Sequence, residues 1–200
     1  MKKIILFFLL AFTFNACLIN RVKVSKTLRI VDQTQYVVDT SENPHYLLNY
    51  SLESYKNEFV EKLKRRLKKS NVKVVDTSTK MADYTLVLKI LYFKDTIGSR
   101  TVQDSSSEEN GQLFQLHSCS MIAKTILYNS KSELVDSIAM LDEDSETLAN
   151  NRTFWDFVFH TNKDNSNYRM KTLSNNIFMR LTKGCVRGTA RVLVKKLKKY

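Results

Sequence analysis

Glycine and proline are almost missing from this 200-residue chain, at four and one. Folds that turn on many glycine corners are therefore disfavoured. Histidine is equally sparse. His45, His117 and His160 lie far apart in the sequence, without partners at metal-ligand spacing. There is no HExxH, CxxC, GxSxG or phosphate-loop pattern, so the usual hydrolytic, redox and nucleotide signatures are absent. The acidic run of Asp142, Glu143, Asp144 and Glu146 lacks the glycine and the spacing of a calcium loop. Together these absences predict no enzyme, no metal and no cofactor. Two further absences are positional. No apolar run approaches the roughly 20 residues that span a bilayer as a helix, and no acidic residue follows Asp164.

The longest apolar run, Ile4 to Phe14, has eleven residues and follows Lys2 and Lys3. A short apolar segment behind a positive start has the order of an export signal rather than a membrane span. It closes on Asn15, Ala16 and Cys17. A small residue directly before cysteine resembles the lipobox of bacterial lipoproteins, with Phe14 where Leu is commonest and Asn15 where Ala or Ser is usual. The resemblance implies cleavage before Cys17 and acylation of its new N-terminus. A plain secretory signal or an uncleaved anchor are the alternatives. The expected division is a signal peptide over 1–16, a lipidated tether over 17–26 and one domain over 27–200. Acyl chains contribute about 0.8 kcal/mol per buried methylene, and two chains hold where one is marginal. Such a tether fixes location without requiring the fold to touch lipid. The expected place is the periplasmic side of a bacterial membrane, the outer one favoured.

The formal charge of +12 is unevenly spread. Ten basic residues run from Arg169 to Lys199, whereas residues 95 to 146 hold ten acids against Arg100, Lys124 and Lys131. A basic side and an acidic side are expected. Beyond the inner membrane the basic side would not meet nucleic acid. Anionic lipid, lipopolysaccharide or an envelope polymer are its candidate partners, through Lys62, Arg65, Lys68, Arg191, Lys195 and Lys198. A merely solvated helix face is the plainer reading. With Cys17 acylated, Cys119 and Cys185 remain. They are either two buried thiols, the preferred reading, or a disulfide closing about 66 residues, worth roughly 4 kcal/mol in the chain-entropy model.

Periodicity supplies the elements. Residues 27–31 and 36–38 read as strand. Ser51 is placed to cap a helix whose Leu52, Tyr55, Phe59, Leu63 and Leu67 recur every three or four residues. Ser70 and Asn71 end it, and residues 72–76 form a short strand. Residues 82–93 are apolar on both alternating sets, as in a strand covered on both faces. A polar loop is expected over 96–112, a long strand over 113–128, a turn over 129–132 and a partner strand over 133–141. The acidic stretch 142–151 reads as a connection. Residues 152–160 hold the only Trp, and Phe154, Trp155 and Phe157 are candidates for sheet cover or for a partner contact. The last helix runs from about 170 to 198, with Gly184 and Gly188 on its apolar stripe. Their use is a close approach to the sheet, or a break near Gly184. The expected fold is α+β: a mostly antiparallel sheet of about 4–5 strands with two long helices, in the order β-α-β-β-β-β-α.

Two stretches resemble a family. ADYTLVLKI (82–90) is similar to a strand opening in several small envelope lipoproteins, and TILYNSKSELVDS (125–137) to the hairpin that follows it there. These include the lipopolysaccharide-assembly, penicillin-binding-protein-activator and curli-secretion lipoproteins. The resemblance covers about 110 residues in element order and maps no functional residue beyond Cys17. It implies a non-enzymatic accessory role in envelope assembly or transport, with a protein partner in the envelope as the leading expectation. Binding of an anionic lipid or polymer through the basic helices is the alternative.

Overall fold

The computed structural model describes residues 26–40, 44–76, 78, 81–105, 107–150 and 168–199. The expected signal, Cys17 and the aromatic segment with Phe154, Trp155 and Phe157 lie outside them. Strands β1 (Thr27–Thr40), β2 (Lys73–Val75), β3 (Tyr84–Thr101), β4 (Leu113–Asn129) and β5 (Leu134–Ser145) form one sheet in the order β2-β1-β3-β4-β5. Helix α1 (Leu52–Lys69) lies between β1 and β2, and α2 (Ile177–Lys199) ends the chain. A two-stranded antiparallel ribbon, β6 (Thr147–Asn150) with β7 (Tyr168–Lys171), precedes α2. The fold is α+β, with the main elements in the expected order.

The sheet is mostly antiparallel, as expected, with a parallel part. β1 runs parallel to both β2 and β3, whereas β3, β4 and β5 are antiparallel neighbours. The parallel part follows from α1, which carries the chain back across the sheet between β1 and β2, as a βαβ connection requires. Both helices lie on the same face. Tyr55, Phe59, Leu63 and Leu67 of α1 and Phe178, Leu181, Cys185 and Leu193 of α2 are buried against Leu28, Leu86, Phe93, Met121 and Leu127 of the sheet. Burying each large side chain stabilises by roughly 1.5–3 kcal/mol, and that seam is the core.

Local chemistry sets the ends of α1. The Ser51 hydroxyl accepts the Ser54 amide at 3.2 Å. At the other end Asn71 takes φ 61°. The Val72 amide bonds back to Leu67 O at 3.1 Å and the Asn71 amide to Lys68 O at 3.1 Å, the paired bonds of a Schellman stop. Leu67 and Val72 are both buried, supplying its apolar contact.

Three boundaries differ from the sequence reading. β3 continues to Thr101, because Thr96–Thr101 pair with Leu113–Ser118 of β4. Those residues are polar because most of this end of the ladder is solvent-exposed. β5 continues through Asp142 and Asp144 to Ser145, where carboxylates occupy strand positions facing α2. α2 starts at Ile177 rather than 170, since Tyr168–Lys171 form β7. The glycines cause no break. A Cβ at Gly184 would overlap the Asp142 carboxylate, and one at Gly188 would stand 2.5 Å from Met140 Sδ. α2 therefore crosses β5 at backbone distance. Among the described residues no helix is long and apolar enough to cross a membrane.

Candidate functional site

Both helices run in one direction, and this brings the basic residues together. On α1, Glu53 accepts from the Tyr36 hydroxyl at 2.9 Å and Lys56 pairs with Asp32 at 2.7 Å. Its start thus lies near the end of β1, and its last turn near the beginning. On α2, Arg180 pairs with Asp144, Gly188 packs on Met140 and Lys196 pairs with Asp136 at 3.1 Å. That helix therefore runs antiparallel to β5. Since β1, β3 and β5 share one direction, the C-termini of α1 and α2 arrive at the same end. The chain also enters the fold there: the Lys73 amide bonds to Lys26 O at 3.3 Å, beside the first residue of β1. Asp83 ties down that entry. It accepts the Thr27 amide at 2.7 Å and the Thr27 hydroxyl at 2.8 Å, bonds that hold its carboxyl below the usual range.

Of the concavities at this end among the described residues, two adjoin the helices. Arg66, Lys69, Arg187 and Arg191 line a cleft of about 410 Å³ between the helices, with no acidic residue among its walls. Arg65, Lys68 and Lys73 border a second, of about 650 Å³, between α1 and β2. None of these seven cations has an ion pair among the described residues. Lys195 and Lys198 are exposed on the final turns of α2. Cations there oppose the negative ends of the helix dipoles, but that local use accounts for few of them.

The six basic residues predicted from sequence are thus divided. Arg65 and Lys68 border one concavity, Arg191 the other, and Lys195 and Lys198 stand beyond them. Lys62 is engaged with Glu58 one turn earlier, at 3.3 Å. Arg66, Lys69, Lys73 and Arg187 were missed. Their spacings, three residues on α1 and four from Arg187 to Arg191, were a usable signal, but the helix directions that unite them were not in the sequence.

The opposite end is acidic and its carboxylates are partly internal. Asp95, fully buried, accepts the Tyr46 and Leu47 amides at 2.7 and 3.1 Å. Glu146 accepts the Tyr46 hydroxyl at 2.8 Å and the His117 amide at 2.9 Å. Burial pushes its carboxyl up, but the His117 amide and Tyr46 hydroxyl outweigh this and hold it below the usual range. The rings of His45, Tyr46 and His117 gather around this knot, His45 and His117 at 5.1 Å. Cys119 lies against Asp95 at 3.9 Å. Burial, then that carboxylate, pushes its thiol up to about 12. Cys185 is likewise pushed to about 12, by burial and then by Asp142. Both thiols are free and buried, and neither is ionised at neutral pH, so neither is an activated nucleophile. The disulfide alternative is not what the structure contains: the Cys185 thiol instead donates to Met121 O and Met140 O at 3.4 and 3.3 Å. No cluster among the described residues has the composition of a metal site.

The sheet face away from the helices carries a row across four strands, Val37, Tyr92, Ile122 and Leu141. Val37 and Leu141 are exposed there, at 43% and 58%.

No family model matches the chain, and no curated protein does. Solved structures with a similar course include a neuraminyllactose-binding hemagglutinin homologue from Helicobacter pylori, at 12% identity and TM-score 0.42, covering 88% of this chain and 84% of that one. A minor lipoprotein from Acinetobacter baumannii follows at 8% and 0.37, covering 88% and 92%. The rare lipoprotein B from Shewanella oneidensis stands at 13% and 0.32, covering 80% and 97%. At identities and TM-scores this low the likeness assigns neither family nor function.

Proposed function

We propose that this chain is an exported accessory protein of the bacterial envelope, without catalytic activity, held by lipid on Cys17 and binding an anionic surface through its basic end. One observation carries the reading. The chain enters the fold at Lys26, at the end where both basic helices terminate. Residues 18–26 reach at most about 30 Å when fully extended. An anchor on Cys17 therefore keeps that end, and not the acidic one, near the headgroups. Acyl chains and a polybasic patch are complementary anchoring signals. Each Lys or Arg near an anionic surface adds about 1 kcal/mol. The outer membrane is the favoured location.

The test is flotation of the full chain carrying Cys17→Ser with vesicles of phosphatidylcholine alone or with phosphatidylglycerol, across a salt series. Binding that requires the anionic lipid and fades as the Debye length shortens to about 8 Å at 0.15 M supports the reading. Equal association with both vesicles defeats it.

A protein partner is the second reading, favoured by the row of Val37, Tyr92, Ile122 and Leu141, which no described element covers. A photocrosslinker at Ile122 should then capture one protein in cells, in a salt-insensitive way. Trp155→Ala should weaken that capture if the aromatic segment shares in the contact.

A further inference from the structure

We propose that the cavity between α1 and β2 seats one acyl chain of an anionic phospholipid, with the headgroup held by Arg65, Lys68 and Lys73. This deepens the membrane-facing reading of the basic end and rests on it. The cavity's volume of about 650 Å³ lies within the 300–1,000 Å³ usual for small-molecule sites. Its floor is apolar, formed by Ile30, Val72 and Val74. Val74 is only half-buried because β2 is a three-residue edge strand with no neighbour beyond it among the described residues. Apolar surface left open to water in a concavity is stabilised by an apolar guest. The border then states the guest's charge. Arg65, Lys68 and Lys73 have no ion pair among the described residues, against the single carboxylate of Asp76 on the same border. An apolar floor under a cationic rim fits a molecule with a hydrocarbon tail and an anionic head. A free polyanion would leave the floor wet, and a neutral lipid would leave the cations unmatched.

Location favours a membrane lipid over a soluble amphiphile. Lys73 lies beside Lys26, where the tether enters, so the mouth of the cavity is on the end that Cys17 acylation would hold at the bilayer. The guanidinium of Arg65 suits bidentate binding of a phosphodiester. Seating one chain there would lift it partly from its leaflet, replacing bilayer contacts with the valine floor.

The experiment uses the mature lipidated protein in phosphatidylcholine vesicles containing a few per cent of a phosphatidylglycerol probe with a diazirine in one acyl chain. After irradiation, adducts should map to Ile30 and to residues 72–75. A phosphatidylcholine probe should give at least tenfold fewer. Val74→Trp, which fills the cavity from β2, should lower those adducts about tenfold. Glu108→Lys with Glu109→Lys, at the opposite end of the sheet, should leave them within twofold. The labelling map in the wild type reads the proposal even if Val74→Trp fails to fold. Adducts confined to residues 17–25 or to the row of Tyr92 and Ile122 overturn it, as does equal labelling by the two probes. Failure of the underlying reading is distinguishable: vesicle flotation of the Cys17→Ser chain would then ignore anionic lipid, whatever the labelling map.

Discussion

Where Lys26 leads into β1, Leu67 and Val72 close an apolar seam and the cations around it stay in water. At the other end the carboxylates of Asp95 and Glu146 are drawn inside and answered by backbone amides and a phenol. The first end would fold equally well with neutral side chains at Arg66, Lys69 or Arg191. The second is stabilised by its charges. Charge that contributes little to folding but is gathered in one place is charge available for binding. Charge that holds a loop in position is committed to structure.

The sharpest way to break this contrast is to reverse the free charges. Arg66→Glu, Lys69→Glu, Arg191→Glu and Lys195→Glu together should cost at least about 4 kcal/mol of affinity for anionic vesicles, roughly a thousandfold. Each exposed change should alter stability by no more than about 0.5 kcal/mol. Flotation and a urea titration measure the two quantities on the same protein. The matching change at the acidic end, Glu108→Lys with Glu109→Lys, should leave flotation unchanged. Equal losses from both variants would mean that only total charge matters, not its placement.

A smaller effect is expected from the buried carboxylate. Asp95→Ala leaves the Tyr46 and Leu47 amides without their acceptor, at about 1–3 kcal/mol for each unpaired buried group. A loss of about 3 kcal/mol in urea unfolding should accompany unchanged vesicle binding, since the basic end is remote. Smaller again is Ser51→Ala at the start of α1, where removal of the cap should cost about 1 kcal/mol. A larger cost would show that residues 47–55 carry more of the acidic end's stability than their hydrogen bonds indicate.

How far the sequence foretold these ends depends on whether a feature is local. The α1 face, its Ser51 cap and its Asn71 stop were legible because each is fixed within one or two turns. The strand content of Tyr84–Phe93 and of the hairpin around 129–133 was legible for the same reason. Thr96–Thr101 was not, because an exposed ladder end has no apolar alternation to betray it. Asp142 and Asp144 read as loop because their partners, Gly184 and Arg180, lie about forty residues away in sequence. The parallel part of the sheet was not legible either: the crossover through α1 sets β2 parallel to β1, and the return from β2 to β3 sets β3 parallel on its other side. At the basic end the composition was plain and the convergence was not. Arg66, Lys69 and Arg187 join Arg191 only because α1 and α2 run the same way.

Acidification separates the two ends by titration alone, and Glu146 is the group to follow. Its carboxyl is held below the usual range in the folded protein, by the His117 amide and the Tyr46 hydroxyl against the opposing effect of burial. A depressed folded pKa means that the unfolded chain binds this proton more readily, so stability rises with pH through the interval between the two values. The stabilising contribution is complete above the unfolded value, near 4.5, and is lost as pH falls through the folded one. Asp83 and Asp32 shift in the same direction, so Glu146 must be isolated by substitution. Glu146→Gln keeps an acceptor for the Tyr46 hydroxyl but cannot titrate. Between pH 6 and pH 3 its stability should fall less than that of the wild type, and at pH 6 it should be the less stable of the two. Asp142 makes the opposing control. Burial raises its carboxyl, against Arg180 and Arg187, so its contribution is present at low pH and lost as pH rises through its folded value. Asp142→Asn should therefore steepen the acid-side loss that Glu146→Gln flattens. Parallel curves for the two variants would mean that neither carboxylate governs the acidic end, and that its stability comes from the rings of Tyr46 and His117 instead.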